Sequence, residues 1–186
     1  MTFPNKLAAV CTALTLVLAP VPAAVAQVEA KPAGDASPVF VVDTPNFLMQ
    51  TMSSNQFEIQ SSELAKEKDQ DAGIVEVAEM IIADHTKASE KLDVLLADHP
   101  AKPEEPVAVA PKHQKMLDQL EAADGADFKA LYLDMQMQAH MEAVALFRTY
   151  AGSGDDQTLV GFARETLPAL ETHLAHVKAV VHGEHR

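Results

Sequence analysis

The chain predicts an all-α fold, a four-helix bundle with one additional short helix in a Pro-rich crossover, and three observations carry that expectation. Apolar residues recur at alternating three- and four-residue steps over long stretches, the spacing of a helix face that meets a core. No pair of strand-like alternating runs accompanies them. Ala, Leu, Glu, Gln and Met are abundant, while Trp is absent and only seven of 186 residues are Gly, a balance that favours helix. A hydrophobic content of 48% suffices for one sizeable core.

The first segment reads as a secretory leader. Lys6 precedes the apolar run 7–18, Pro20 and Pro22 end it, and Ala24-Val25-Ala26 offers a small-residue cleavage site, with Gln27 the expected mature start. The run falls short of the about 20 residues that a spanning helix needs, so association with a membrane is expected only if the leader stays uncleaved. Cys11, the single cysteine, leaves with the leader; the mature chain then has no thiol chemistry and no thiolate metal site. Residues 27–40, with Pro32, Gly34 and Pro38, read as a flexible tether, residues 41–182 as the bundle, and 183–186 as a C-terminal tail. The expected location is periplasmic or secreted.

Within the bundle, Asp43-Thr44-Pro45 is a helix start, with Thr44 as cap and Pro45 lacking an amide to lose. That helix runs to about residue 68, where Asp69-Gln70-Asp71 breaks it. The second helix spans about 72–98, with Ile74, Ala78, Ile81, His85, Ala88, Leu92 and Leu95 as its seam. Pro100, Pro103 and Pro106 mark an extended crossover, followed by a short helix over about 112–121. Asp127 opens the next long helix, with Leu133, Met137, His140, Val144 and Phe147 inward. After a turn at Ser153-Gly154-Asp155 the last helix carries Leu159, Ala163, Thr166, Leu170, His173, Val177 and Val180 on one stripe. Pro168 within it deletes an amide donor and predicts a kink.

His85, His140 and His173 thus occupy the apolar seams of three different helices. They lie 14 residues after Asp71, 13 after Asp127 and 17 after Asp156; at about 1.5 Å per residue these heights agree to within one turn. Glu58, 13 residues after Pro45, reaches a comparable depth and shares a stripe with Thr51, Asn55, Ser62 and Ala65, although Ile59 offers a rival facing. Three imidazoles and a carboxylate at mid-bundle suit a transition metal (Zn, Cu or Fe), with Glu58 as ligand or as acceptor behind a ligand. The same residues also suit a buried hydrogen-bond network in which Glu58 or Tyr132 satisfies the rings. Met135, Met137 and Met141 flank His140, where thioethers would suit copper but equally fill a core.

Other chemistry finds little footing. The chain has no nucleophile elbow, phosphate loop or dinucleotide fingerprint. It also lacks the Glu-x-x-His pairs of di-iron bundles. Asp84 adjoins His85, but neighbouring helical residues diverge and make poor partners for one ion. Ser61-Ser62 reads as a close-packing surface. A net charge of −13 excludes nucleic acid as a partner on electrostatic grounds.

Phe57-Glu58-Ile59 with Leu64-Ala65, then Met80 through His85 (Met-Ile-Ile-Ala-Asp-His), then Phe128, Tyr132 and His140, and finally Leu167-Pro168 with His173 form an ordered set. It resembles the exported bacterial family termed domain of unknown function (DUF) 4142 over residues 40–181. The resemblance implies a ferritin-like helical bundle of the cell envelope and places Glu58, His85, His140 and His173 among the family's polar core positions. Lys129 stands here where that family has Asp after the aromatic. Three roles follow as expectations: a non-enzymatic binding or envelope-stress protein that takes a metal ion, a metal-dependent redox or hydrolytic enzyme, and a structural bundle that recognises another envelope protein.

Overall fold

The computed structural model describes residues 42–69 and 71–183; the expected leader and tether, and residues 184–186 of the expected tail, lie outside them. Five helices follow in order: α1 (Thr44–Lys68), α2 (Ala72–Leu96), α3 (Pro111–Ala122), α4 (Gly125–Ser153) and α5 (Gln157–Val181). No strand occurs among the described residues, so the all-α expectation stands. None of these helices is long and apolar enough to cross a membrane.

The four long helices form a closed ring in the order α1, α2, α5, α4. Residue pairs fix their directions. Asn55 meets Ser89 while Lys66 meets Glu79, so α1 and α2 run antiparallel. Thr44 meets Tyr150 and Ser62 meets Tyr132, which makes α1 and α4 antiparallel. Asp84 meets His173 while Lys91 meets Glu165, and α2 and α5 follow suit. It follows that α2 and α4, diagonal in the ring, are parallel, and only a long crossover can connect them. The Pro-rich segment and α3 supply it.

Side chains of α1 hold this crossover down. Gln56 Nε2 donates to Val107 O at 2.7 Å, and Ser53 Oγ accepts from the Ala110 amide at 2.8 Å. At the other end Lys68 Nζ donates to the carbonyls of Glu121 and Ala123, at 2.6 and 2.9 Å, so the terminal acceptors of α3 gain a cation.

Two helix starts differ from expectation. Asp43, not Thr44, caps α1, accepting from Asn46 N at 2.9 Å. Thr44 Oγ1 turns inward instead, to Tyr150 Oη and, at 2.5 Å, to Asp155 Oδ1. Helix α4 begins at Gly125 rather than Asp127: φ of +54° at Gly125 is a left-handed value that glycine adopts freely, and the chain turns into the helix two residues early. The end of α2 at Leu96 falls just short of the expected residue 98, and α5 continues through Pro168 on an exposed side. At the α4–α5 turn a Cβ on Gly154 would stand 2.7 Å from Tyr150 O, which makes glycine necessary there.

The core divides into two apolar clusters. One gathers Phe57, Ile74, Ile81, Leu120, Phe128, Tyr132 and Val177; the other gathers Phe47, Leu92, Phe147, Leu159, Phe162 and Leu170. Along their helices His85, His140 and His173 each fall between a residue of the first cluster and one of the second. A layer of imidazoles thus separates the two apolar clusters, and α1 adds buried polar side chains of its own, Thr51, Asn55, Glu58, Ser61 and Ser62.

Candidate metal centre

Helices α2, α4 and α5 each contribute one buried imidazole to that layer. Ring centroids of His85, His140 and His173 lie 5.3 to 5.7 Å apart, and one nitrogen from each ring lies within 4.8 Å of the other two. The expected convergence of three seams at one height therefore holds. His140 is fully buried, with His173 and His85 at 1% and 6% exposure.

Each ring turns one nitrogen outward to an oxygen. His85 Nδ1 lies 2.6 Å from Asn55 Oδ1. The amide orientation of Asn55 follows from its other end, which donates to His85 O and Ser89 Oγ, so Oδ1 accepts and His85 Nδ1 carries the hydrogen. His140 Nδ1 lies 3.0 Å from the Gln136 carbonyl, which can only accept. His173 Nε2 lies 3.1 Å from Asp84 Oδ2. Burial raises the Asp84 pKa, but hydrogen bonds from His173 and Lys87 outweigh it and hold the carboxyl below its ordinary range, as an acceptor.

A neutral imidazole with its hydrogen on the outward nitrogen presents a bare lone pair from the other. The three inward nitrogens are then His85 Nε2, His140 Nε2 and His173 Nδ1. His85 Nε2 has no hydrogen-bond partner, and the other two face each other at 3.3 Å. Converging lone pairs repel unless a proton or cation lies among them. Extra protons are disfavoured: burial and the neighbouring His173 push the His140 pKa down to about 4, and burial first, then the other two rings, depresses His85 well below the ordinary value. Burial lowers His173 as well, with Asp84 opposing. Neutral rings held from behind by oxygens are the state in which imidazoles bind metal. The 3.3 Å spacing also matches the about 3.3 Å nitrogen separation of a tetrahedral ion with Zn–N near 2.0–2.1 Å.

Glu58 is buried on α1 with Thr51, Asn55, Ser62 and Ala65, the stripe expected for it, while Ile59 is only half-buried. Its carboxylate lies behind His140, Oε1 being 3.6 Å from Nδ1, on the side away from the inward nitrogens. Neither oxygen has a hydrogen-bond partner. Burial pushes its pKa well up, with the nearby Gln136 amide only partly offsetting this. The described group of converging atoms contains the three histidines and not Glu58, which leaves Glu58 as an acid behind a ring.

Tyr132 does not satisfy a ring; its hydroxyl pairs with Ser62 at 3.0 Å. Ser61 accepts from Gln136 Nε2 at 2.9 Å, so the Ser pair serves helix contacts. Met135 packs in the core while Met141 is 54% exposed, as methionines filling a helix surface would. Asn55, Asp84 and Gln136 are the acceptors whose roles sequence reasoning missed. Asp84 does not belong to the converging group that includes its neighbour His85; it faces the α2–α5 seam, where it reaches His173 instead. The outward acceptors come from α1, α2 and α4, and only packing brings them to the rings.

A cavity of about 460 Å³ reaches this layer, with His85 and His173 in its lining together with Thr51, Leu92, Phe147 and Phe162.

These features define a class: an all-α bundle built around a buried layer of three histidines. The chain belongs to the family DUF4142, "Domain of unknown function (DUF4142)", whose model matches residues 28–180. No curated protein and no solved structure matches it.

Proposed function

We propose that the protein is an exported, non-enzymatic helical bundle that binds one transition-metal ion through His85, His140 and His173, with Glu58 behind His140 as a carboxyl that takes up or releases a proton. The single observation that carries this reading is the convergence, within 4.8 Å, of one nitrogen from each of three buried rings, each ring held from behind by an oxygen. Zn²⁺, copper and Fe²⁺ all accept imidazole, and the absence of a thiolate in the described residues argues for none of them over the others. Export is supported by the leader read in residues 1–26, with a periplasmic or secreted location. The one long crossover supports a ferritin-like reading of the connectivity, since such folds carry one.

Metal analysis of untagged protein purified without chelator tests the proposal. One equivalent of Zn, Cu or Fe is expected, lost in a folded variant carrying Leu at all three histidines. Wild-type protein that stays metal-free after incubation with each ion would overturn it. A second reading, a metal-dependent enzyme, draws on one further observation: the cavity gives the layer a route for a small molecule.

A further inference from the structure

The cavity combines features that no purely structural gap requires. Its volume of about 460 Å³ falls in the range of about 300–1,000 Å³ that holds small molecules. Leu92, Leu146, Phe147, Phe162 and Leu170 supply much of its wall, while His85 and His173 border it at the metal layer. Thr51, buried at 7% exposure, belongs to the same lining, and its Oγ1 has no hydrogen-bond partner. An orphaned hydroxyl and an orphaned imidazole nitrogen beside one apolar space call for a ligand with a single polar end.

Charge selects the kind of end. A divalent ion on three neutral rings brings two positive charges into a low-dielectric layer, and Asp84, bonded to His173, returns one negative charge. Glu58 does not line the cavity. One anionic oxygen donor on the cavity side would complete a fourth coordination position and bring a charge opposite to the ion's.

We infer that the cavity binds a small amphiphilic monocarboxylate, its carboxylate at the tri-histidine metal and near Thr51, its apolar chain among Leu92, Phe147 and Phe162. This rests on the metal reading above, and the test separates the two. Untagged protein is loaded with Co²⁺, whose visible spectrum reports its ligands, and titrated with octanoate, with acetate, and with octanol. Octanoate should change the cobalt spectrum and bind at least tenfold tighter than acetate, and octanol should leave the spectrum unchanged. Ala88→Leu, which fills the cavity wall, should weaken octanoate at least tenfold while cobalt stoichiometry is retained; Thr51→Val should weaken it severalfold. Circular dichroism confirms that each variant is folded. Cobalt uptake with no octanoate response, or with acetate binding as tightly as octanoate, overturns this inference and leaves the metal site standing. Folded protein that takes up neither cobalt nor zinc, copper or iron overturns both.

Discussion

Protonation of the histidine layer should make the metal-free protein lose stability at an unusually high pH. His140 titrates near 6.5 in an unfolded chain and at about 4 in the fold, because burial and the adjacent His173 disfavour its charged form. The fold therefore binds fewer protons than the unfolded chain over this window. Its stability is fully present above pH 6.5 and falls as pH drops toward 4. Each pH unit of difference is worth about 1.4 kcal/mol, so His140 alone should remove about 3 kcal/mol between pH 7 and pH 4. His85 and His173 shift in the same direction and steepen the loss. Urea unfolding of chelator-treated protein, from pH 7.5 down to pH 4, measures it directly, with His140→Leu as comparison. Whichever protein is the more stable at pH 7.5, the stability of wild type relative to that variant should fall by about 3 kcal/mol across the window, or by more, because removing His140 also relieves the charge repulsion that helps depress His85. Parallel curves for the two proteins would refute the reasoning: His140 would then titrate in the fold as it does in water.

Four further outcomes follow from the same geometry. Glu58→Gln should raise the melting temperature of metal-free protein at pH 8 and raise it less at pH 5, since burial lifts the Glu58 pKa and the fold loses stability as pH climbs through it; a lower melting temperature at pH 8 counts against a buried, unpartnered carboxyl. Asn55→Ala removes the acceptor that holds His85 Nδ1 and should cost about 1–3 kcal/mol, while Asp84→Asn leaves a weaker acceptor for His173 and should reduce zinc affinity by about 10- to 100-fold; urea unfolding of the first variant and calorimetric zinc titration of the second check this. Thr44→Val breaks the clasp to Tyr150 and Asp155 and should cost about 1 kcal/mol in denaturant unfolding without changing metal uptake.

Much of the fold was legible because helix periodicity is local. The seams of α2, α4 and α5 named their inward residues, and the height rule brought His85, His140 and His173 to one level before any packing was known. The helix starts were less legible, since Asp43 and Thr44 are both capable caps and the choice depends on Tyr150, 106 residues away. Leu95 shows the same limit: seam spacing puts it inward on α2, yet it is only half-buried while Leu96 is buried. The acceptors Asn55, Asp84 and Gln136 were hidden for a different reason. Spacing along one helix says which way a side chain points but not which helix it meets, and Asp84 next to His85 gave no sign that its partner sits on α5.

Two accounts of the layer, a hydrogen-bond network and a metal centre, turn out to concern opposite sides of the same rings. On the outward side the network exists: Asn55, Gln136 and Asp84 satisfy one nitrogen of each histidine. On the inward side it closes with neutral rings only if a hydrogen leaves an outward bond. Moving a hydrogen onto His140 Nε2 would let it donate to His173 Nδ1, but it would leave His140 Nδ1 as a lone pair facing the Gln136 carbonyl, with a protonated Glu58, 3.6 Å away, as its nearest donor. Moving it onto His173 Nδ1 instead sets a lone pair against the Asp84 carboxylate. A purely structural layer would therefore carry a standing penalty, and Leu at the three positions would relieve it, since buried polar groups without partners cost about 1–3 kcal/mol each. A metal layer reverses that balance by mass action, because an ion that binds only the folded state adds stability in proportion to the logarithm of its concentration over Kd. The outward bonds fix the tautomers whichever account holds, and those tautomers leave the inward space suited to a cation.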